Sequence, residues 1–310
     1  MWFKNLCIYD LTEGFTLPAE ALEQRLTQFV FQPVGRSELV AQGWVSPLGR
    51  PSQQLVHAAN GALLLCLQQQ SRILPPAVIR DALEERVTEI EEREARKLGR
   101  REKNRMKEEI VLDLLPRSFT CSKRTLGYID PQHRWLVVDA ASWRQAEEFT
   151  ELLRAGLGTL PIRPLQAGAN PQSVMTWWLA HDRTPSDIEL GEETVLEDPH
   201  KAGAEIRAKR QNLAAGEIKG HIKAGKRPRR LAATWDQRLS CILDTDLSVK
   251  RLKFLDIVQE DAGDREPETA AERFDADFAL MILELRRFIP RLLELFGEQD
   301  QERQAAGQPG

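Results

Sequence analysis

The chain has 310 residues and a formal net charge of −4, with 42% apolar and 29% charged residues. That length exceeds a single compact core and is read as two or three domains of ordinary globular composition. No apolar run approaches the roughly 20 residues of a membrane span, and the start, MWFKNLCIYDL, is not built like a secretory leader. A cytosolic protein without membrane partners is expected.

In chain order, Trp2 to Tyr9 reads as a strand, and Pro18 opens an amphipathic helix carrying Ala21, Leu22, Leu26 and Phe29. Gly43 to Gly49 is a strand and turn. Asn60-Gly61, between Leu55-Val56 and the Leu63 to Leu67 run, is the strongest hairpin signal. A second hairpin spans Tyr128 to Asp139, and a helix runs from a Ser142 cap to a Gly158 stop.

Residues 75–116 interrupt this pattern with two helices broken near Gly99. Their apolar stripe (Ile79, Leu83, Val87, Ile90) is too thin for a core, so the pair is expected to project as a helical-hairpin tip. Arg96 to Lys107 holds seven Lys/Arg against Glu102. Arg96, Lys97 and Arg100 are candidate polyanion contacts, with a merely solvated helix as the alternative.

After Gln172 comes a third region: a helix around Trp177-Trp178, an acidic stretch from Asp182 to Asp198, three short strands, and a long helix from about Ala270 to Phe296. Phe274, Phe278, Met281, Leu285, Phe288, Leu292 and Leu295 form a heptad seam on that helix, with Pro290 as a kink point. The seam either packs on its own domain or makes a subunit contact through Phe288 and Leu292. The expected fold class is α+β. A central mixed α/β region (1–74 with 117–168) would carry the tip (75–116), with a separate α+β base (169–297) and a disordered tail (298–310).

Lys201 to Arg230 carries ten Lys/Arg and two acids, a window of +8 in a chain whose remainder totals −12. Charge so concentrated marks a place for a polyanion. The window has no Trp, Tyr or Phe to stack bases, so phosphate backbone is the better fit. Arg207, Lys209, Arg210 and Gln211 form one arm. Lys219 and Lys223 on a short helix, then Lys226, Arg227, Arg229 and Arg230, form the other.

Enzyme signals are weak. Neither G-x-x-x-x-G-K-[ST] nor G-x-G-x-x-G occurs, and Cys7, Cys66, Cys121 and Cys241 lie far apart, as expected of reduced thiols. The five His show no metal-ligand spacing, so neither cofactor nor metal is expected. The best nuclease-like feature is Asp275 and Asp277, with Asp264, Glu266 and Glu284 nearby in sequence. Two residues apart on a helix, Asp275 and Asp277 diverge by roughly 200° rather than converging on metal ions.

The strings WFKNL (2–6), GWVSPLG (43–49), ILPPAVI (73–79), LLPRSF (114–119), IRAKRQNL (206–213), HIKAGK (221–226), KRLKFLD (250–256) and RFDADFALM (273–281) follow one another along the chain. In that order they resemble the bacterial recombination-associated RdgC family, nearly end to end. The resemblance implies a ring-shaped homodimer around a positively charged hole, binding single- and double-stranded DNA with little sequence preference, and a non-enzymatic DNA clamp is the reading expected here. The resemblance further implies a nucleoid-associated role in recombination and replication-fork repair that restrains the recombinase RecA by occupying DNA. The alternatives are a metal-dependent nuclease using Asp275 and Asp277, or direct RecA contact through the tip. Arg210, Gln211 and Lys226 match positions lining the hole, and Phe119 an aromatic at a subunit contact. Arg227, Arg229 and Arg230 are inferred from charge alone.

Overall fold

The computed structural model describes residues 1–49, 52–260 and 269–297. The expected tail, Asp264 and Glu266 lie outside the described residues. Among those described, the chain forms eight α-helices and two antiparallel sheets, the α+β class read from the sequence.

The first sheet holds β1 (Cys7–Leu11), β2 (Val40–Val45), β3 (Val56–Ala59), β4 (Ala62–Ile73), β5 (Phe119–Asp130), β6 (Trp135–Val138) and β7 (Ile162–Pro164). Its order is β2-β4-β5-β6-β1-β7, with β3 also paired to β4. Asn60 and Gly61 both take left-handed backbone (φ 49° and 74°), which the two-residue β3–β4 turn requires. The second sheet holds β8 (Ile188–Glu197), β9 (Glu205–Lys209), β10 (Arg227–Trp235), β11 (Leu239–Asp244) and β12 (Val249–Phe254), in the order β12-β11-β10-β8-β9.

One face of the first sheet, through Leu63, Leu65 and Leu67, packs on α1 (Ala19–Leu26) and α4 (Trp143–Leu157). The Ser142 side chain caps α4 by accepting from the Gln145 N–H, and Gly158 (φ 82°) ends it, as expected. The other face, through Leu64, Tyr128 and Val137, joins a larger core with α5 (Pro171–His181), α6 (Gly216–Lys223) and one face of the second sheet. The expected first strand is shorter than read. Leu6 instead bonds Val249 through both its N–H and its carbonyl, tying the N-terminal segment to the second sheet.

The helix α8 (Ala270–Leu295) runs through this shared core and continues past Pro290. Ion pairs fix it to both sheets. Arg286 holds Asp130 of the first sheet at 2.7 Å, while Arg238 reaches Glu284 at 2.7 Å and Arg291 reaches Asp187 at 2.9 Å beside the second. The Arg291 guanidinium keeps the Asp187 carboxyl below its ordinary range by hydrogen bonding to it. Phe288 and Leu292 are each only 1% exposed in this core, Phe288 lying 5.4 Å from Trp235. The expectation that they meet a partner subunit is therefore corrected: the seam is buried by the chain itself.

The helices α2 (Pro76–Glu94) and α3 (Arg100–Leu114) lie between β4 and β5 and pack on each other. The first buries no side chain and the second only Ile110. A short α7 (Asp256–Glu260) follows β12. Burial pushes the thiols of Cys7 and Cys241 up to about 12 and that of Cys66 to about 11, while Cys121 is exposed on β5.

Candidate nucleic-acid interface

Strand β9 is an edge strand, and its alternation divides it between two environments. Ile206 and Ala208 turn to the core; Glu205, Arg207 and Lys209 turn to the other face of the sheet. Across β8 they stand opposite Glu197, Val195 and Glu193. Arg207 is ion-paired to Glu205 at 2.6 Å in an exposed geometry worth about 0–1 kcal/mol, weak enough to be exchanged for another anion. Lys209 and Arg210 are exposed and have no ion pair among the described residues. The backbone at Arg210 is left-handed (φ 53°), and the next residue, Gln211, donates its N–H to the Glu192 carbonyl.

Part of the second arm lies apart from this face, because α6 buries Ile218 and Ile222 in the core, whereas Arg230 of β10 stands across from Val195, on the same face as Arg207. Lys219 lies 3.9 Å from Asp182, while Lys223 is exposed. Lys226, with its side chain 20% exposed, sits 3.6 Å from Asp198. Arg227 donates to the carbonyls of Ile222 and Lys226, closing the C-terminal end of α6. Arg229 is exposed, and Arg230 is paired with the buried Asp244 at 2.6 Å. Asp182, Asp198 and Asp244 all come from outside the window, so folding offsets part of the charge excess that the sequence displays.

At the apex of the α2–α3 hairpin, Arg96 is paired with Glu94 and Glu102, and Lys97 with Glu91. Hydrogen bonds from Lys97 and the Leu98 N–H hold Glu91 at about 2; Arg96 and the Gly99 N–H hold Glu102 at about 2. These cations build the turn before they face outward. Arg100 is exposed without an ion pair among the described residues. Phe119, at the start of β5, is 84% exposed, beside the exposed Ile73 directly across on β4.

On the open face of the second sheet, Lys209, Arg210, Glu192 and Glu193 surround a cavity of about 500 Å³ together with Arg251 and Lys253 of β12. Arg251 spans the face to meet Glu193 at 2.5 Å, and its hydrogen bond keeps that carboxyl below its ordinary range. The sequence reading missed Arg251 and Lys253. The available signal was the run KRLKF, with cations interleaved among strand residues.

The nuclease-like acids are spoken for individually. Asp275 lies 2.8 Å from His57 Nε2, Asp277 pairs with the Met1 amino group, and Glu284 with Arg238. Among the described residues no three His, Cys, Asp or Glu side chains converge with metal-holding geometry, and no helix is long and apolar enough to cross a membrane.

Comparison with known proteins matches residues 1–299 to the family model described as "Putative exonuclease, RdgC". A recombination-associated protein RdgC of Halorhodospira halophila is 52% identical over 96% of this chain and 98% of its own length. Those of Pseudoalteromonas atlantica and Tolumonas auensis are each 41% identical, over 97% of this chain and 100% of their lengths. With an end-to-end family match and relatives this similar, the chain belongs to the RdgC family.

Proposed function

We propose that this chain is a sequence-nonspecific DNA-binding protein acting in recombination and replication-fork repair. It takes single- and double-stranded DNA, forms a ring-shaped homodimer around it, and restrains RecA by occupying DNA in the nucleoid. The observation that carries the reading is the open face of the five-stranded sheet, where Lys209, across from Glu193, and Arg210 stand exposed with no ion pair among the described residues. Cations with no aromatic platform among them favour phosphate over base. The names of the relatives support the recombination role. The exposed Phe119 supports a subunit contact at the β4–β5 end, since large solvent-facing aromatics are strong interface candidates. The division into a central region, a tip at 75–116 and a base at 169–297 belongs to the same proposal.

The test is binding of labelled duplex and single strand across a salt series, with light scattering for the dimer. Neutralised phosphates give a log–log slope of about −0.9 each on duplex, so a slope near zero overturns the reading. Replacing Arg210 and Gln211 together lowers affinity for all sequences alike; loss on one sequence alone would indicate base readout.

The family description favours a second reading, exonuclease activity. Cleavage of DNA with Mg²⁺ or Mn²⁺ that is abolished by Asp277→Ala would establish it. Inhibition of RecA that persists in a variant unable to bind DNA would instead support direct contact through the tip.

A further inference from the structure

Two features of the five-stranded sheet bear on how a polyanion would lie on it. The first is the floor. Gly191 of β8 and Ala232 of β10 meet so closely that a Cβ at 191 would lie 2.9 Å from the Ala232 Cβ, and Thr234 and Ser240 continue this shallow surface toward β12. Small side chains floor the middle of the face beside Ile242, and cations stand at its edges, Lys209 and Arg210 at the β9 side and Arg251 and Lys253 at the β12 side, with the acids Glu192 and Glu193 on β8 between them.

The second is the backbone of Arg251. It is left-handed (φ 48°) inside the strand Val249–Phe254, where the β11–β12 register shifts between Ser240 and Ile242. A β-bulge of this kind inserts one residue and re-aims side chains. Without it, strict alternation could not keep Val249, Leu252 and Phe254 all in the core. With it, all three stay buried, Arg251 reaches Glu193, and Lys253 stands opposite Ser240 at the cavity. A left-handed non-glycine residue is strained and persists where the surroundings enforce it.

We infer that this open face is a phosphodiester trough. Lys209 and Arg210 hold one wall and Arg251 and Lys253 the other, while Glu193 occupies the Arg251 guanidinium until a nucleic-acid phosphate displaces it. The inference rests on the proposed DNA-binding reading and adds to it a second, β12 wall and an internal competitor. A guanidinium can exchange a carboxylate for a phosphate as its charge-assisted hydrogen-bond partner, so the Arg251–Glu193 pair marks where a phosphate oxygen sits. Lys253 has no ion pair among the described residues and gives up none on binding.

The test uses the full chain and a short labelled duplex over a salt series. Glycine accepts left-handed backbone without strain, so Arg251→Gly removes the side chain and leaves the bulge intact. The double variant Arg251→Gly, Lys253→Ala is expected to bind about tenfold more weakly or worse. Its log–log salt slope should be shallower by about 1.8, two phosphates' worth. Glu193→Gln is expected to bind about two- to fivefold more tightly, the range of a released exposed pair. If the double variant keeps the unmodified chain's affinity and slope while Arg210→Ala weakens binding, the β12 wall is wrong and the DNA-binding reading stands. If Glu193→Gln binds no more tightly, the competitor role is wrong. If the unmodified chain shows no salt-dependent binding, both the reading and the trough fall.

Discussion

The seven-stranded sheet has α1 and α4 against one face and the shared core against the other, whereas that core covers only one face of the five-stranded sheet. A sheet buried on both sides can present only its edges and ends. A sheet buried on one side keeps a solvated face whose side chains are free to be charged. The difference makes the first sheet a scaffold and leaves the open face of the second available for the proposed recognition. It also separates stability from binding within single strands, since β9 alternates Ile206 and Ala208 inward with Arg207 and Lys209 outward.

The largest expected effect breaks the buried side. Phe288→Ala should destabilise the chain by about 3–5 kcal/mol, the usual cost of emptying a well-packed aromatic site, measured by chemical denaturation. Arg210→Ala on the open face should stay within about 0.5 kcal/mol while weakening DNA binding. Equal stability losses for the two would erase the distinction between the faces.

Those two residues also show how far the sequence carries. A heptad seam states that Phe288 and Leu292 are buried, but not whether the covering surface belongs to the same chain; the turn residues Asn60-Gly61 and the Ser142 cap act locally and were legible for that reason. The trough was not legible. Lys209 and Arg251 are brought to one face by the strand order β12-β11-β10-β8-β9 and by a bulge, neither of which leaves a short-range pattern. The +8 window overstated its own charge in the same way, because Asp182, Asp198 and Asp244 reach it only through folding. The distal half of β4, with three consecutive Gln at 68–70, lacks the apolar alternation that would have shown a twelve-residue strand.

A second comparison lies within the β4–β5 pair, where the buried end is scaffold and the distal end exposes Phe119. In the proposed dimer, Phe119→Ala should leave monomer stability nearly unchanged and weaken self-association. Burying one Phe side chain contributes about 1.5–3 kcal/mol, so the dimer dissociation constant should rise about 10- to 100-fold, read by sedimentation velocity over a dilution series. An unchanged constant would move the subunit contact elsewhere. Smaller again is Gly191→Ala on the trough floor. Its new methyl must displace Ala232, so a loss of about 1 kcal/mol is expected, and no loss would show a floor looser than the 2.9 Å approach indicates.

The smallest effect belongs to the hairpin apex, where ion pairs surround one buried side chain, Leu98. Glu91 and Glu102 each accept a backbone N–H, from Leu98 and Gly99, and each meets a cation, Lys97 and Arg96. Both carboxyls sit at about 2 in the folded chain against an ordinary 4.5. A carboxyl whose folded value is depressed supports the structure fully above 4.5 and loses that support as pH falls toward 2. The apex should therefore loosen between pH 4.5 and 2, with faster amide hydrogen exchange at Leu98 and Gly99 than the pH dependence of intrinsic exchange allows. Glu91→Gln and Glu102→Gln together should produce the same loosening at pH 7 and remove its acid dependence. Because Leu98 is the one buried side chain of the turn and α2 buries none, the change should stay local and leave the unfolding midpoint of the body where it was.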